Sequence, residues 1–484
     1  VGGTRDLTGH SASETWVPAA EAYSGRDAAA TTMGAGAASP ATMGPATVDL
    51  ATSGPAGPTS ATKDAAAQPV SADPSPRASR RWLVGGAAAV AVVLAVVTGI
   101  LWASRDSGTV GDGSGAVARA ALYPGVLPLT QLDAQGGKAP IATGTLEAAG
   151  VGGAVCEPVT IAAMGPLTGD GADLGSRTFG GIRLAVDQFS RANPDCRITV
   201  KEFDTTGDPR EAGRLAALVA NDPSIVAVLG PMFSGEVNAS GQTFSDAGLS
   251  FLTPVASNSG LSKQGWGTFF RGMADNDMEA PAVARYLTGT GLRDICVISN
   301  GTDHETTESR AVIAALGGAA DRNCIATVDP GADPGAAVTA IAAARPDGVY
   351  YVGGPEGAGA LVQKLRKAGV TATFVAGEGS YESTYTALAG AASTGTLLSC
   401  VCGPATDRFL ADYHNFNRSV PGAFSAESYD LTAIVLGGTA SGHTTRDGLL
   451  SYLRSFDGTG VARTYRWTPT GELADPRIWL YRVE

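Results

Sequence analysis

The chain runs to 484 residues and carries 34 Lys and Arg against 46 Asp and Glu, a formal net charge of −12. That balance excludes a nucleic-acid partner, which would need a basic face. Beyond Arg77, Arg80 and Arg81 there is no basic run of the kind that holds a lipid surface.

Residues 1–81 are dominated by Ala, Gly, Pro, Ser and Thr without apolar periodicity, a composition expected to stay disordered. WLVGGAAAVAVVLAVVTGILW follows, from Trp82 to Trp102. At ~1.5 Å per residue it is long enough for a hydrocarbon core of ~30 Å. A tryptophan stands at each end, and the three arginines crowd its N-terminal flank. The expectation is a single-pass membrane helix, residues 82–102, with residues 1–81 in the cytoplasm and the rest exported. A cleaved signal peptide would have a shorter apolar core near the chain start and a small-x-small cleavage site. Residues 103–156 are Gly/Ala-rich and read as a flexible stalk.

From residue 157 the texture changes. VTIAAMG (159–165), ITVKEFD (198–204), SIVAVLG (224–230), LSFLTP (249–254), ICVIS (295–299), CIATV (324–328), GVYYVG (348–353) and TFVAG (373–377) are short apolar runs. Helical stripes separate them; Phe179, Ile182, Val186 and Phe189 are one, and Asp208-Pro209-Arg210-Glu211 carries the signal of a helix start. Such alternation predicts an α/β fold with parallel sheets, and roughly 330 residues call for two lobes.

Ligands of open α/β sheets bind beyond the carboxyl ends of the strands. Three loops there carry chemistry. Gly230-Pro231-Met232-Phe233-Ser234-Gly235-Glu236 leads into a helix, where Ser234 and unpaired N–H groups suit a carboxylate. Thr253-Pro254-Val255-Ala256-Ser257-Asn258 offers a second hydroxyl. Ala376-Gly377-Glu378-Gly379 offers an acid on the other lobe. Two hydroxyl loops facing one carboxylate would complement a zwitterion. A serine at a helix start is ordinarily only a cap, however, and a loop glutamate is ordinarily solvated, so each residue alone leaves the reading open.

In order along the chain, VTIAAMGPLTGDGADLGSRTFGGIRLAVDQ, FDTTGDPREAGRLAALVA, VLGPMFSGE, FLTPVAS, DGVYYVGG, FVAGEGS, PGAFSAESYDLTAI and the closing YRWTPTGELADPRIWLYRVE form one series. From about Glu157 to Glu484 it resembles the leucine/isoleucine/valine-binding branch of the type I periplasmic binding proteins. The resemblance implies two lobes joined by three crossings and closing on a ligand. The first lobe would take residues 157–275 and 401–462, and the second 276–400 and 463–484. Ser234 and Ser257 match positions that bind the ligand carboxylate, Val255 one whose carbonyl accepts from its ammonium, and Glu378 the acid that pairs with it. Where relatives place aromatics, this chain has Leu174, His304 and Gly354, so leucine itself is not the expected ligand; a different amino acid or an amide-like solute is.

The enzymatic alternatives are thin. Gly169-Asp170-Gly171-Ala172-Asp173-Leu174-Gly175 misses the dinucleotide fingerprint by one residue, even with Asp204 at the end of the second strand. The four histidines fall in no metal-binding spacing, and no G-x-S-x-G or phosphate-loop motif occurs. No cofactor, metal or catalytic residue is expected. The six cysteines all follow residue 155, as disulfides of an oxidising compartment would. Cys156 with Cys196, and Cys296 with Cys324, precede or begin successive strands, whose starts lie at one end of a parallel sheet, so these pairs are expected to bond. Cys400 and Cys402 are left open. The function expected is capture of an amino acid or close analogue for an ABC permease. The alternative is the sensing ectodomain of a membrane receptor.

Overall fold

The computed structural model describes residues 119–120, 122–123, 125–141, 146–169, 171–301 and 303–484. The membrane topology expected from the sequence is corrected: among the described residues no helix is long and apolar enough to cross a membrane. Trp82–Trp102, on which the single-pass anchor rested, lies outside the described residues, as do residues 1–81.

The apolar runs become strands in chain order. The first three are short or early: β1 (Arg119–Ala120), β2 (Val126–Leu132) and β3 (Lys138–Ala139). Lobe 1 then builds a five-stranded, all-parallel sheet from β4 (Cys156–Gly165), β5 (Cys196–Asp204), β6 (Ile225–Leu229), β7 (Ser250–Thr253) and β8 (Phe269–Arg271), in the order β5-β4-β6-β7-β8. Its connecting helices are α1 (Ala172–Ala192), α2 (Pro209–Ala220) and α3 (Ser234–Asp246). In α1 the expected stripe is seen: Phe179, Ile182 and Phe189 are buried. Each such side chain contributes about 1.5–3 kcal/mol on leaving water. Asp208 caps α2, accepting from Arg210 N at 2.8 Å, with Pro209 in the first turn.

Lobe 2 follows with α4 (Asn276–Gly289), β9 (Ile295–Ser299), α5 (Asp303–Leu316), β10 (Ala326–Thr327), α6 (Gly335–Ala344), β11 (Gly348–Val352), α7 (Pro355–Lys367), β12 (Thr373–Ala376), α8 (Ser383–Ala389) and β13 (Leu397–Cys400). The chain returns to lobe 1 through β14 (Ala405–Thr406), α9 (Asp407–Asn417), α10 (Ser425–Ala440) and α11 (Arg446–Ser455). The ribbon β15 (Gly458–Thr459) and β16 (Thr464–Tyr465) precedes β17 (Ile478–Val483), which re-enters the second sheet. That sheet runs β10-β9-β11-β12-β13-β17-β2-β3. It is parallel from β10 to β13 and antiparallel beyond, because β17 and the β2–β3 hairpin arrive from outside the alternating pattern.

The stalk reading of residues 103–156 is corrected for its second half. β2 pairs with β17 from Val126–Val483 to Leu132–Ile478, with Val126 and Leu132 fully buried. Tyr123 packs edge-on against Tyr381, and β1 pairs with β14. The chain then lies on lobe 1: Asn193 Nδ2 donates to Ala149 O at 3.1 Å, and Ala148 N to the Tyr429 hydroxyl at 3.2 Å. The described residues between 119 and 156 thus join lobe 2 along β2 and rest on lobe 1 at Ala148 and Ala149, adding a strap to the later crossings. Low hydrophobic periodicity hid this, since a two-residue strand and a short hairpin borrow their partners from distant sequence.

Three disulfides close the described cysteines. Cys156–Cys196 joins the starts of β4 and β5, with Cα atoms 4.5 Å apart. Cys296–Cys324 spans 5.2 Å in lobe 2, and Cys400–Cys402 spans 5.0 Å where β13 leaves the sheet.

Candidate functional site

The site is built from the carboxyl ends of strands in both lobes. In lobe 1 the β6–α3 turn approaches β4 so closely that a Cβ on Gly230, which has φ 110°, would lie 2.1 Å from Met164 O. Only glycine fits there. The turn is held from behind by Glu236, fully buried, whose Oε2 accepts from Phe233 N at 2.9 Å and Met232 N at 3.2 Å while Oε1 accepts from Thr205 Oγ1. Burial pushes the Glu236 carboxyl up, and those hydrogen bonds only partly offset it. Ser234 then opens α3 with its side chain buried at the positive end of the helix dipole.

The β7 loop lies against it: Asn258 N donates to Ser234 Oγ at 3.2 Å. Arg271, fully buried, fixes this loop from the other side, donating to Ala256 O and, at 2.7 Å, to Asn258 O. Its guanidinium also grips Glu472 bidentately, at 2.9 Å on each oxygen. Neither role was singled out in the sequence: Glu236 bonds N–H groups three and four residues before it, and Arg271 bonds loop carbonyls 13 and 15 residues before it together with the distant Glu472.

The loop continues into lobe 2. Ser257 O accepts from Asn276 N, the first residue of α4, at 2.9 Å. One turn along α4, Glu279 Oε1 accepts from Glu378 N at 3.1 Å. Glu378 opens a 3₁₀ turn (Glu378–Ser380) after β12. Gly354, at the start of α7, stands beside that turn: Ser380 Oγ donates to Gly353 O at 2.7 Å. Ser234, Ser257 and Glu378 are therefore linked through one short chain of contacts across the lobes, with Val255 in the same loop as Ser257. Leu174 sits in the first turn of α1, behind the β4–α1 loop whose Gly171 faces the Phe233 ring. His304 lies in the first turn of α5.

The electrostatics of this wall are one-sided. Burial drives the Glu378 carboxyl well above its ordinary value, and the charges of Glu279 and Glu308 push it further. Glu308 is pushed up to about 8 by burial, then by Glu279 and Glu305. On lobe 1, by contrast, Asp204 is held low: burial would raise it, but Thr168 Oγ1 and the N–H groups of Leu167, Thr206 and Thr168 outweigh that. Asp204 is thus spent on the β4–α1 loop, at 2.6 Å from Thr168 Oγ1, and not on a ribose. Among the described residues no group of three or more His, Cys, Asp or Glu is placed to hold a metal ion. A separate hollow of about 310 Å³ is lined by Glu147, Gln188, Arg408 and Phe409 among others, none of them a cleft residue.

Two α/β lobes with loops converging between them fit one family model, described as periplasmic binding protein, which matches residues 158–484. The chain belongs to this family. Its members are solute-binding proteins and not enzymes. This binding protein is 24% identical over 346 residues to Leu/Ile/Val-binding protein homolog 3 of Brucella melitensis, covering 69% of this chain and 93% of the relative. It is 24% identical over 333 residues to the leucine-, isoleucine-, valine-, threonine-, and alanine-binding protein of Pseudomonas aeruginosa, covering 66% of this chain and 85% of the relative. In fold it is similar to the branched-chain amino acid transporter substrate binding protein LivJ of Streptococcus pneumoniae, solved with isoleucine, with a TM-score of 0.57, 20% identity and coverage of 67% of this chain and 95% of that one. The strap at residues 119–156 precedes the family match.

Proposed function

We propose that this binding protein captures an amino-acid-like solute between its lobes and delivers it to an ABC permease. The ligand carboxylate is taken by Ser234, Ser257 and the N-terminus of α3. Its ammonium is taken by Glu378 and the Val255 carbonyl. Leu174, His304 and Gly354 border the side-chain pocket. The observation that supports this reading is the bridge from Ser234 through Asn258, Ser257, Asn276 and Glu279 to Glu378, which links the hydroxyl loops of one lobe to the acidic turn of the other. A zwitterion is the small solute that meets both at once. The binding proteins whose names record leucine, isoleucine, valine, threonine and alanine point the same way.

Thermal unfolding of the chain against the twenty standard amino acids tests the proposal. A ligand at 100 times its Kd stabilises by about 2.7 kcal/mol. At least one amino acid is expected to raise Tm, and Glu378→Gln to abolish most of the rise. No shift with any of them, or an equal shift in Glu378→Gln, overturns it.

A further inference from the structure

We propose that Glu279 is a second carboxylate for the ligand's ammonium, and that Glu279 and Glu378 hold one proton between them in the empty cleft, which leaves for solvent when the amine binds. This rests on the amino-acid reading above and adds a residue and a proton to it.

The argument begins with geometry. Glu279 is 4% exposed, in the first turn of α4, and receives the Glu378 backbone N–H at 3.1 Å. The two side chains lie close enough for Glu279 to raise the hold of Glu378 on a proton. Two carboxylates held that close repel, and one proton between them would relieve the repulsion and supply the donor they lack. The pair therefore titrates as a unit, carrying one charge where two acids stand.

Every element packed on the pair bears on it. Glu308 of α5 lies close to Gly377, within 3.1 Å of where a Cβ would be, and Glu427 of α10 adds a further negative charge. Tyr350 of β11 and Ser399 of β13 rise from the sheet beneath, beside Glu279. Both are buried, and neither hydroxyl has a partner at hydrogen-bonding geometry among the described residues. Buried orphan donors are costly, and this arrangement gives them a use. Once the proton departs, two hydroxyls stand ready for the extra charge on Glu279. Burial raises Glu279, and the nearby Ser399 hydroxyl and the Glu378 N–H partly offset it. Burial, Glu279 and Glu308 raise Glu378 well above the ordinary carboxylate range.

An ammonium seated between the two carboxyls reverses the balance, since an opposite charge within hydrogen-bond reach favours both ionised forms. Binding then releases up to one proton, and affinity rises with pH by up to about ten-fold per unit above the ordinary carboxylate range, for as long as the empty pair holds its proton.

The test is calorimetric titration of the full chain with each of the twenty amino acids, in phosphate and in Tris at matched pH. The tightest binder is expected to show a binding enthalpy that depends on the buffer, equivalent to a fraction of a proton released, and a Kd that tightens as pH rises. Glu279→Gln is expected to weaken that ligand roughly ten-fold while losing both the buffer dependence and the pH dependence. Binding with no proton release and a flat Kd across that range overturns the shared proton and leaves the amino-acid reading standing. Unchanged affinity in Glu279→Gln overturns its role as a ligand carboxylate. If no amino acid binds, both proposals fall together. The wild-type buffer and pH series stands without the variant, should Glu279→Gln not fold.

Discussion

In the proposed binding mode lobe 1 meets the cleft with hydroxyls and helix-terminal N–H groups, and lobe 2 meets it with carboxyls. The first wall is rigid by construction: Glu236 holds the Ser234 turn and Arg271 holds the Ser257 loop, each fully buried and each bonded to backbone. The second wall is electrostatically loaded, with Glu279, Glu308 and Glu378 acting on one another. The contrast follows from what each must do. A carboxylate is bound by donors fixed in direction, which backbone supplies. An ammonium is bound chiefly by charge, which side chains supply, and in the proposed site that charge is offset by a proton when the cleft is empty.

The sharpest way to break the comparison is to loosen the rigid wall. Arg271→Ala removes a buried guanidinium and leaves the Glu472 carboxylate and Ala256 O without their donor, while Asn258 O keeps only Leu261 N. It is expected to cost about 3–5 kcal/mol in denaturant unfolding and to weaken the ligand as well. A loss below 1 kcal/mol would show that the loop stands without its buttress. Next comes the strap, which ties the loaded lobe to the rigid one. Leu132→Asp, at a fully buried position of β2, is expected to lower stability by about 2–4 kcal/mol and to open residues 119–156 to limited proteolysis. Unchanged proteolysis would return that segment to a stalk. Ser234→Ala comes third, with an expected loss of about ten-fold in affinity and little in stability, read by titration.

The smallest effect is in pH. Asp275 is pushed up to about 6 by burial and then Glu472, Asp430 to about 7 by burial, and Glu308 to about 8. A carboxyl that holds its proton more firmly when folded gives stability that is full below its unfolded pKa and is lost as pH rises through the folded one. Tm is therefore expected to fall between pH 5 and pH 8.5 by several degrees, at about 2–4 °C per kcal/mol, and Asp430→Asn to flatten the slope. Asp222, held at about 2 by Lys201, works in the opposite sense, losing its contribution only as pH drops below the ordinary carboxylate range. A Tm that rises over the neutral range would refute the loaded-wall picture.

Much of the fold is legible in the sequence because it is local. Eight apolar runs coincide with β4, β5, β6, β7, β9, β10, β11 and β12; those buried along their length, such as β6, β7, β9 and β11, must be apolar throughout, while β5 is partly exposed. β8, β13 and the β2–β3 hairpin escape that rule. β8 is three residues long beside its neighbour β7, whereas β2 and β13 both pair with β17, remote in the chain from β2. The membrane span rests on composition alone and falls outside the described residues, which contain no helix fit to cross a bilayer.

For the site, the loops at 230–236, 253–258 and 376–379 could be chosen from sequence, because strand ends and glycines mark where a ligand can approach backbone. Their supports could not. Glu279 lies about a hundred residues from Glu378, and Arg271 about two hundred from Glu472. What the sequence determined by itself is the order of strands and helices and the chemistry available at their ends, both set by side-chain patterns a few residues long. What only the tertiary structure decided is which of those ends meet. A hydrogen bond or a shared proton depends on separation in space, and the chain leaves that open until both lobes are packed.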